Sequence, residues 1–176
     1  KLIVEKSIIF KSLSHVQSIV EKKNTLPILS NILIEAKDNS LVLSATDMDI
    51  SITEKLNCDI IEEGSTTVSA HMLYDIIRKL PDSSEIEFIS NDGKIITLRS
   101  GKSKFSLGCL PKEDYPIIEI GKLENEINLE SDQLLKLINK TRFAISSEET
   151  RYFLNGVYFQ KKTIENQSLL SVVATD

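Results

Sequence analysis

The chain has 176 residues, 41% of them hydrophobic, and a formal net charge of -5. That is material for one domain of roughly 100 to 150 residues and part of another. No apolar run approaches the roughly 20 residues of a membrane-spanning helix, and residues 1–5 lack a signal peptide's apolar centre and cleavage site, so a cytoplasmic protein is expected.

Residues 2–5 form a short strand candidate. Ser7 then offers a cap for a helix whose apolar positions Ile9, Leu13, Val16 and Val20 fall on one face. The opposite face carries Lys11, His15, Ser18 and Lys22, and Pro27 closes the segment. Residues 32–36 and 41–45 flank an Asp38-Asn39 turn as a hairpin, and Ile50, Ile52 and Glu54 continue it as a third alternating run. Cys58 and Cys109 lack a second ligand at metal spacing and read as reduced thiols in strands, without a role.

After Glu63-Gly64 the order restarts. Residues 66–69 are a strand, and a helix follows with Leu73, Ile76, Ile77 and Leu80 as its apolar face and Pro81 as its stop. Strands at 86–89 and 94–98 bracket Asn91-Asp92-Gly93, and 104–109 follows the Ser100-Gly101 turn. Two strand-helix-three-strand halves imply an α+β domain with two helices packed on antiparallel sheets. Residues 110–126, with two prolines and many charges, lead to a third round. Residues 126–129 should be its strand; a helix capped by Ser131 or Asp132 and buried through Leu134, Leu135, Ile138 and Ile145 should follow.

The chain also repeats itself over a longer period. TLPILSNILIEAKDNSLVLSATD (25–47) returns in degraded form as TRYFLNGVYFQKKTIENQSLLSVVATD (150–176). A shift of about 125 places Phe10, Leu13, Ile19 and Val20 on Leu135, Ile138, Ala144 and Ile145. Residues 1–122 therefore read as one complete domain and 123–176 as the opening half of a second, whose sheet would lack a half to pair with.

Charge is segregated along the chain. The three predicted helical stretches, 6–23, 70–80 and 131–147, carry +3, +1 and +2, which leaves -11 on the remainder of a chain of net charge -5. Solvated helix faces would explain this as well as a nucleic-acid surface would. No catalytic set is present: there is no GxSxG, Walker-type loop or His-Glu-x-x-His. Asp47, Asp49 and Asp176 suggest a magnesium cluster at first sight, but Asp47 and Asp176 are equivalent positions of a repeat and read better as turn formers. No metal, cofactor or catalytic residue is assigned.

The stretches TLPILSNILIEA, SATDMDISI, RSGKSKFSLGCLPKEDYP, RYFLNGV and VVATD together resemble the bacterial DNA polymerase III beta subunit, the replicative sliding clamps, from the first domain into the second. The resemblance implies the DNA-clamp fold: three such domains per subunit, and a head-to-tail homodimer closing around duplex DNA with helices inward. It implies a non-catalytic processivity factor of a DNA-directed DNA polymerase (nucleotidyltransferase) holoenzyme, whose partners are duplex DNA, the replicative polymerase, the clamp loader and other proteins with a clamp-binding motif.

Carried over residue by residue, the resemblance places DNA contacts on Lys23, His71, Arg78, Arg151, Tyr152 and Phe153. His71 stands where clamps can carry arginine and Glu148 where a neutral residue is common; ordinary burial is the competing reading for Tyr152 and Phe153. Leu154 and Thr175 match part of the family's peptide-binding pocket, whose other wall would come from residues after Asp176. Lys102, Lys104, Phe105 and Leu107 match the subunit contact, with both apolar side chains expected to be exposed; a charged edge strand guarded against aggregation is the alternative. A protein-interaction module without DNA contact remains the rival reading.

Overall fold

The computed structural model of the chain describes residues 1–20, 25–118, 127–164 and 167–176, with backbone alone at 164, 167 and 168. It contains two compact units, Lys1–Glu119 and Ile120–Asp176.

In unit 1, β1 (Leu2–Glu5) runs straight into α1 (Lys6–Gln17), and a 3₁₀ turn (Pro27–Ser30) leads to β2 (Asn31–Lys37), β3 (Ser40–Thr46) and β4 (Ser51–Asn57). After the short β5 (Asp59–Ile60), the cycle repeats as β6 (Gly64–Ser69), α2 (Ala70–Lys79), β7 (Glu85–Ser90), β8 (Ile95–Ser100) and β9 (Ser103–Gly108). The two halves exchange their first strands. β6 pairs with β2 to complete a four-stranded antiparallel sheet, β4-β3-β2-β6, and β1 pairs with β7 in a five-stranded one, β5-β1-β7-β8-β9. Neither sheet is complete without a strand from the other half.

Turn chemistry follows the sequence closely. Asp38 and Asn39 both have positive φ, 49° and 55°, the signs of a type I′ hairpin turn at residues that tolerate that region. Gly101, at φ 55°, opens the turn between β8 and β9, where a side chain would be strained. The helical period puts Ile9, Leu13 and Val16 of α1 and Leu73 and Ile77 of α2 into one core with Leu41, Leu43, Ile86 and Leu98. Each such burial contributes about 1.5–3 kcal/mol before entropy is counted.

The caps differ from expectation. The N-cap of α1 is Glu5, with extended backbone, because β1 passes into the helix without a loop. Ser7 thus lies inside the first turn, where its hydroxyl donates to the Glu5 carboxylate. Ser69 does cap α2, accepting from the Met72 amide at 3.5 Å.

Unit 2 repeats the opening of unit 1 in order: α3 (Ser131–Thr141), 3₁₀ turns Arg142–Ala144 and Glu149–Leu154, then β10 (Tyr158–Ile164) and β11 (Gln167–Val173), which pair as a hairpin. Residues 127–130 are not a strand, contrary to expectation, and residue 126 lies outside the described residues. In unit 1 the corresponding strand, β1, takes its main ladder from β7, an element of the second half. Neither Ser131 nor Asp132 caps α3, whose N-cap is Glu130 without a side-chain bond. The expected burial of this helix is also absent. Leu134, Ile138 and Ile145 are only half-buried, and Leu135 is 57% exposed.

Candidate nucleic-acid interface

α1 and α2 lie side by side over the unit 1 core. Phe10 stacks on Tyr74 with ring centroids 5.4 Å apart, and the Arg78 guanidinium sits 5.8 Å from the Tyr74 ring centroid, a cation–π contact. Lys11 and Arg78 are both exposed, on the sides of their helices turned away from the core. Part of the charge on these helices is paired, however. Arg78 donates to Asp75 at 3.0 Å, and the exposed His15 lies 2.8 Å from Glu54 of β4.

One cation included in the helix charge, Lys6, and one expected contact, His71, are not freely on this surface. Lys6 is buried, 7% exposed, with its ammonium 2.5 Å from the Leu80 carbonyl and 2.7 Å from Asp82. That pairing holds the Asp82 carboxyl below the usual carboxylate range. His71 is half-buried, and both its ring nitrogens are engaged inside the protein, Nδ1 with Gln17 at 2.9 Å and Nε2 with the Val20 carbonyl at 3.2 Å. Lys22 and Lys23 lie outside the described residues.

In unit 2 the 3₁₀ turn Glu149–Leu154 carries the other expected contacts. The Leu154 carbonyl accepts from the Ser146 amide at 3.2 Å and the Ser146 hydroxyl accepts from the Glu148 amide at 3.2 Å, so the turn is tied to the end of the α3 segment. Tyr152 and Phe153 are 78% and 70% exposed, edge to face with centroids 5.9 Å apart. Burial, the reading that pattern alone favours, does not describe them. At the repeat's shift of about 125 their counterparts in unit 1 are Pro27, which is exposed, and Ile28, which is half-buried. Arg151 donates to Glu148 at 2.8 Å, which lowers the carboxyl's pKa and raises the guanidinium's. Sequence reasoning missed Asp75 and Glu148 as the acids that restrain Arg78 and Arg151; the signal was an acid three residues before each arginine.

Leu154 is half-buried and Thr175 exposed. At β9, the outer strand of the five-stranded sheet, Lys102 and Lys104 are exposed but Phe105 is only partly so, and Leu107 is buried at 4% within the unit's own core. Alternation along the strand explains the correction, since residues 105 and 107 share the inward face. Asp47 accepts from the Asp49 and Ile50 amides at 3.0 and 2.7 Å, the turn expected of it, and those bonds lower its pKa. No cluster of three or more metal-ligating side chains occurs among the described residues, and no described helix is long and apolar enough to cross a membrane. Burial raises the pKa of both cysteine thiols, and neither is in a disulfide.

Comparison with known proteins assigns residues 1–119 to the family described as DNA polymerase III beta subunit, N-terminal domain, and residues 128–176 to its central domain. The beta sliding clamp of Caulobacter vibrioides is 44% identical over the whole chain, which spans 48% of that protein's length. A crystal structure of the Caulobacter crescentus sliding clamp superposes with a TM-score of 0.93 at 43% identity, covering 99% of this chain and 48% of the other. A Bartonella birtlesii clamp bound to griselimycin gives a TM-score of 0.93 at 46% identity, over 99% of this chain and 46% of that one.

Proposed function

The chain belongs to the DNA polymerase III beta subunit family, and on that premise we propose that it is the first clamp domain, residues 1–122, and the opening of the second, residues 123–176, of a bacterial sliding clamp. The protein would encircle duplex DNA in the cytoplasm as a head-to-tail homodimer and tether the replicative polymerase, as a non-catalytic subunit of the nucleotidyltransferase holoenzyme. The single observation that carries this reading is the helix layer of unit 1, with Lys11 and Arg78 exposed on its outer side within a chain of net charge -5.

A ring retains DNA by enclosure, so its contacts need only be weak and indifferent to sequence. Phosphate contacts supply such an interaction, and their number sets its salt dependence. Arg78 in unit 1 and Arg151, Tyr152 and Phe153 in unit 2 are the proposed contacts among the described residues, and Lys23, which lies outside them, is proposed on the resemblance. Leu154 and Thr175 would contribute one wall of the pocket that receives partner peptides, from the polymerase, the clamp loader and others. At the subunit contact, the backbone edge of β9 and the side chains of Lys102, Lys104 and Phe105 would meet the partner, while Leu107 supports them from inside.

Duplex binding by the chain, measured against salt concentration, tests the reading. Charge reversal at Lys23 and Arg78 together should weaken binding and flatten its salt dependence. Unchanged binding would favour a protein-interaction module whose basic helix faces are merely solvated.

A further inference from the structure

The geometry points to Lys6 and His71 as reciprocal positioning residues, each at the start of one helix and holding the far end of the other; the inference rests on the reading of the α1–α2 layer as the duplex-facing surface. Lys6 is the first residue of α1. Its ammonium reaches the Leu80 carbonyl, the C-cap of α2, at 2.5 Å and Asp82 at 2.7 Å, while its backbone amide donates to Ser84 at 2.9 Å. His71 is the second residue of α2. Its Nε2 lies 3.2 Å from the Val20 carbonyl just past α1, and its Nδ1 lies 2.9 Å from Nε2 of Gln17, the last residue of α1.

A carbonyl can only accept, so Nε2 of His71 carries the proton and Nδ1 accepts from the Gln17 amide, a pattern complete with a neutral ring. Both interactions fall where a helix leaves unpaired carbonyls and partial negative charge. Lys6 brings a full charge to one of those ends and His71 a neutral donor to the other. The two side chains thereby fix how far α1 slides along α2, and with it the spacing of Lys11 and Arg78. Lys6 itself, 7% exposed, is withdrawn from phosphate.

The test uses the 176-residue chain and a short blunt duplex, at a temperature where circular dichroism shows every variant folded. Lys6→Met keeps the buried stem, His71→Phe keeps the ring, and Lys11→Gln removes an exposed cation as a control. Lys11→Gln should lower the slope of log K against log salt by about 0.9. Lys6→Met and His71→Phe should leave that slope unchanged while affinity falls roughly three- to tenfold. A Lys6→Met slope that drops like the control, or affinity unchanged in both variants, overturns the proposal.

Hydrogen exchange supplies the arm that does not depend on DNA. Amides of 80–84 should exchange faster in Lys6→Met, and those of 18–20 in His71→Phe; unaltered exchange also overturns the proposal. If the unmodified chain fails to bind duplex yet the exchange changes occur, the functional reading fails and the latch stands. Asp82→Asn covers the case in which Lys6→Met does not fold, because Asp82 is exposed (98%); it should shift exchange at 80–84 in the same direction by less, and no shift overturns the latch.

Discussion

The two units share the run of helix, 3₁₀ turn and hairpin and end up packed very differently. In unit 1, Ile9, Leu13 and Val16 of α1 are 0% exposed, and Phe10 beside them stacks on Tyr74 of α2. In unit 2 the counterparts of Ile9 and Leu13, Leu134 and Ile138, are half-buried, and Leu135, at the position of Phe10, is 57% exposed. The α3 helix is clearly amphipathic too, so a weak apolar face does not explain the difference. In unit 1 each half supplies three strands to its sheet and takes a further strand from the other half, and α1 and α2 share one core. Burial in this fold belongs to a pair of halves.

The sharpest way to break that comparison is to truncate the same position in both units. Leu13→Ala should cost roughly 2–5 kcal/mol in urea unfolding, since it leaves a cavity in a sealed core. Ile138→Ala, in a helix with solvent on its flank, should cost less than about 1 kcal/mol. Equal losses would mean that α3 is as well supported as α1, and the comparison would fall.

A second layer found in unit 1 gives the next largest effect. Ser44, Leu33 and Thr67 form a row across β3, β2 and β6, covered by the segment after β9. The Thr67 hydroxyl donates to the Leu110 carbonyl at 2.8 Å, and the Tyr115 hydroxyl donates to the Ser44 carbonyl at 3.1 Å. Burial pushes the Tyr115 pKa up to about 12, above its unfolded value of about 10. Between those values the folded state binds more protons than the unfolded one, so stability present below pH 10 is lost as pH rises toward 12. The loss should reach about 2 kcal/mol, read as a falling urea midpoint. Tyr115→Phe should abolish that slope, while costing only about 1 kcal/mol at pH 7 for its hydrogen bond. A slope that survives the substitution would assign the alkaline loss to other groups.

These residues also show where sequence reading stopped. Period and turn chemistry are local, so the helices of unit 1, the Asp38-Asn39 hairpin and the doubling itself were legible. Leu107 was misread because an edge strand of alternating charge and hydrophobe looks the same whichever side faces the core. The missing strand at 127–130 and the open flank of α3 depend on which strand pairs with which, a nonlocal fact that residues 126–129 do not carry. At the proposed site, Arg78, Arg151, Tyr152 and Phe153 were named through resemblance alone, and all four are exposed. Lys6 was not, since a lysine at the start of a helix gives no sign that it will bend inward to another helix's end.

The smallest expected effect concerns a feature that the two units share despite their packing. Arg78 is bonded to Asp75 at 3.0 Å and Arg151 to Glu148 at 2.8 Å, each an acid three residues earlier. Exposed pairs of this kind add little to stability, which leaves their effect on binding as the physical consequence. Each carboxylate competes with a phosphate for the same guanidinium, and so weakens the grip without removing the charge. The Glu148 carboxyl, its pKa lowered by the bond to Arg151, keeps competing to a lower pH than an unpaired glutamate would. Asp75→Asn and Glu148→Gln should therefore each tighten duplex binding by up to about threefold at low salt, with the urea midpoint unchanged. Weaker binding in either variant would mean that the acid aims its arginine instead of restraining it. A gain in one unit alone would mean that only that unit's arginine meets the duplex, and would separate the DNA-facing roles of the two units.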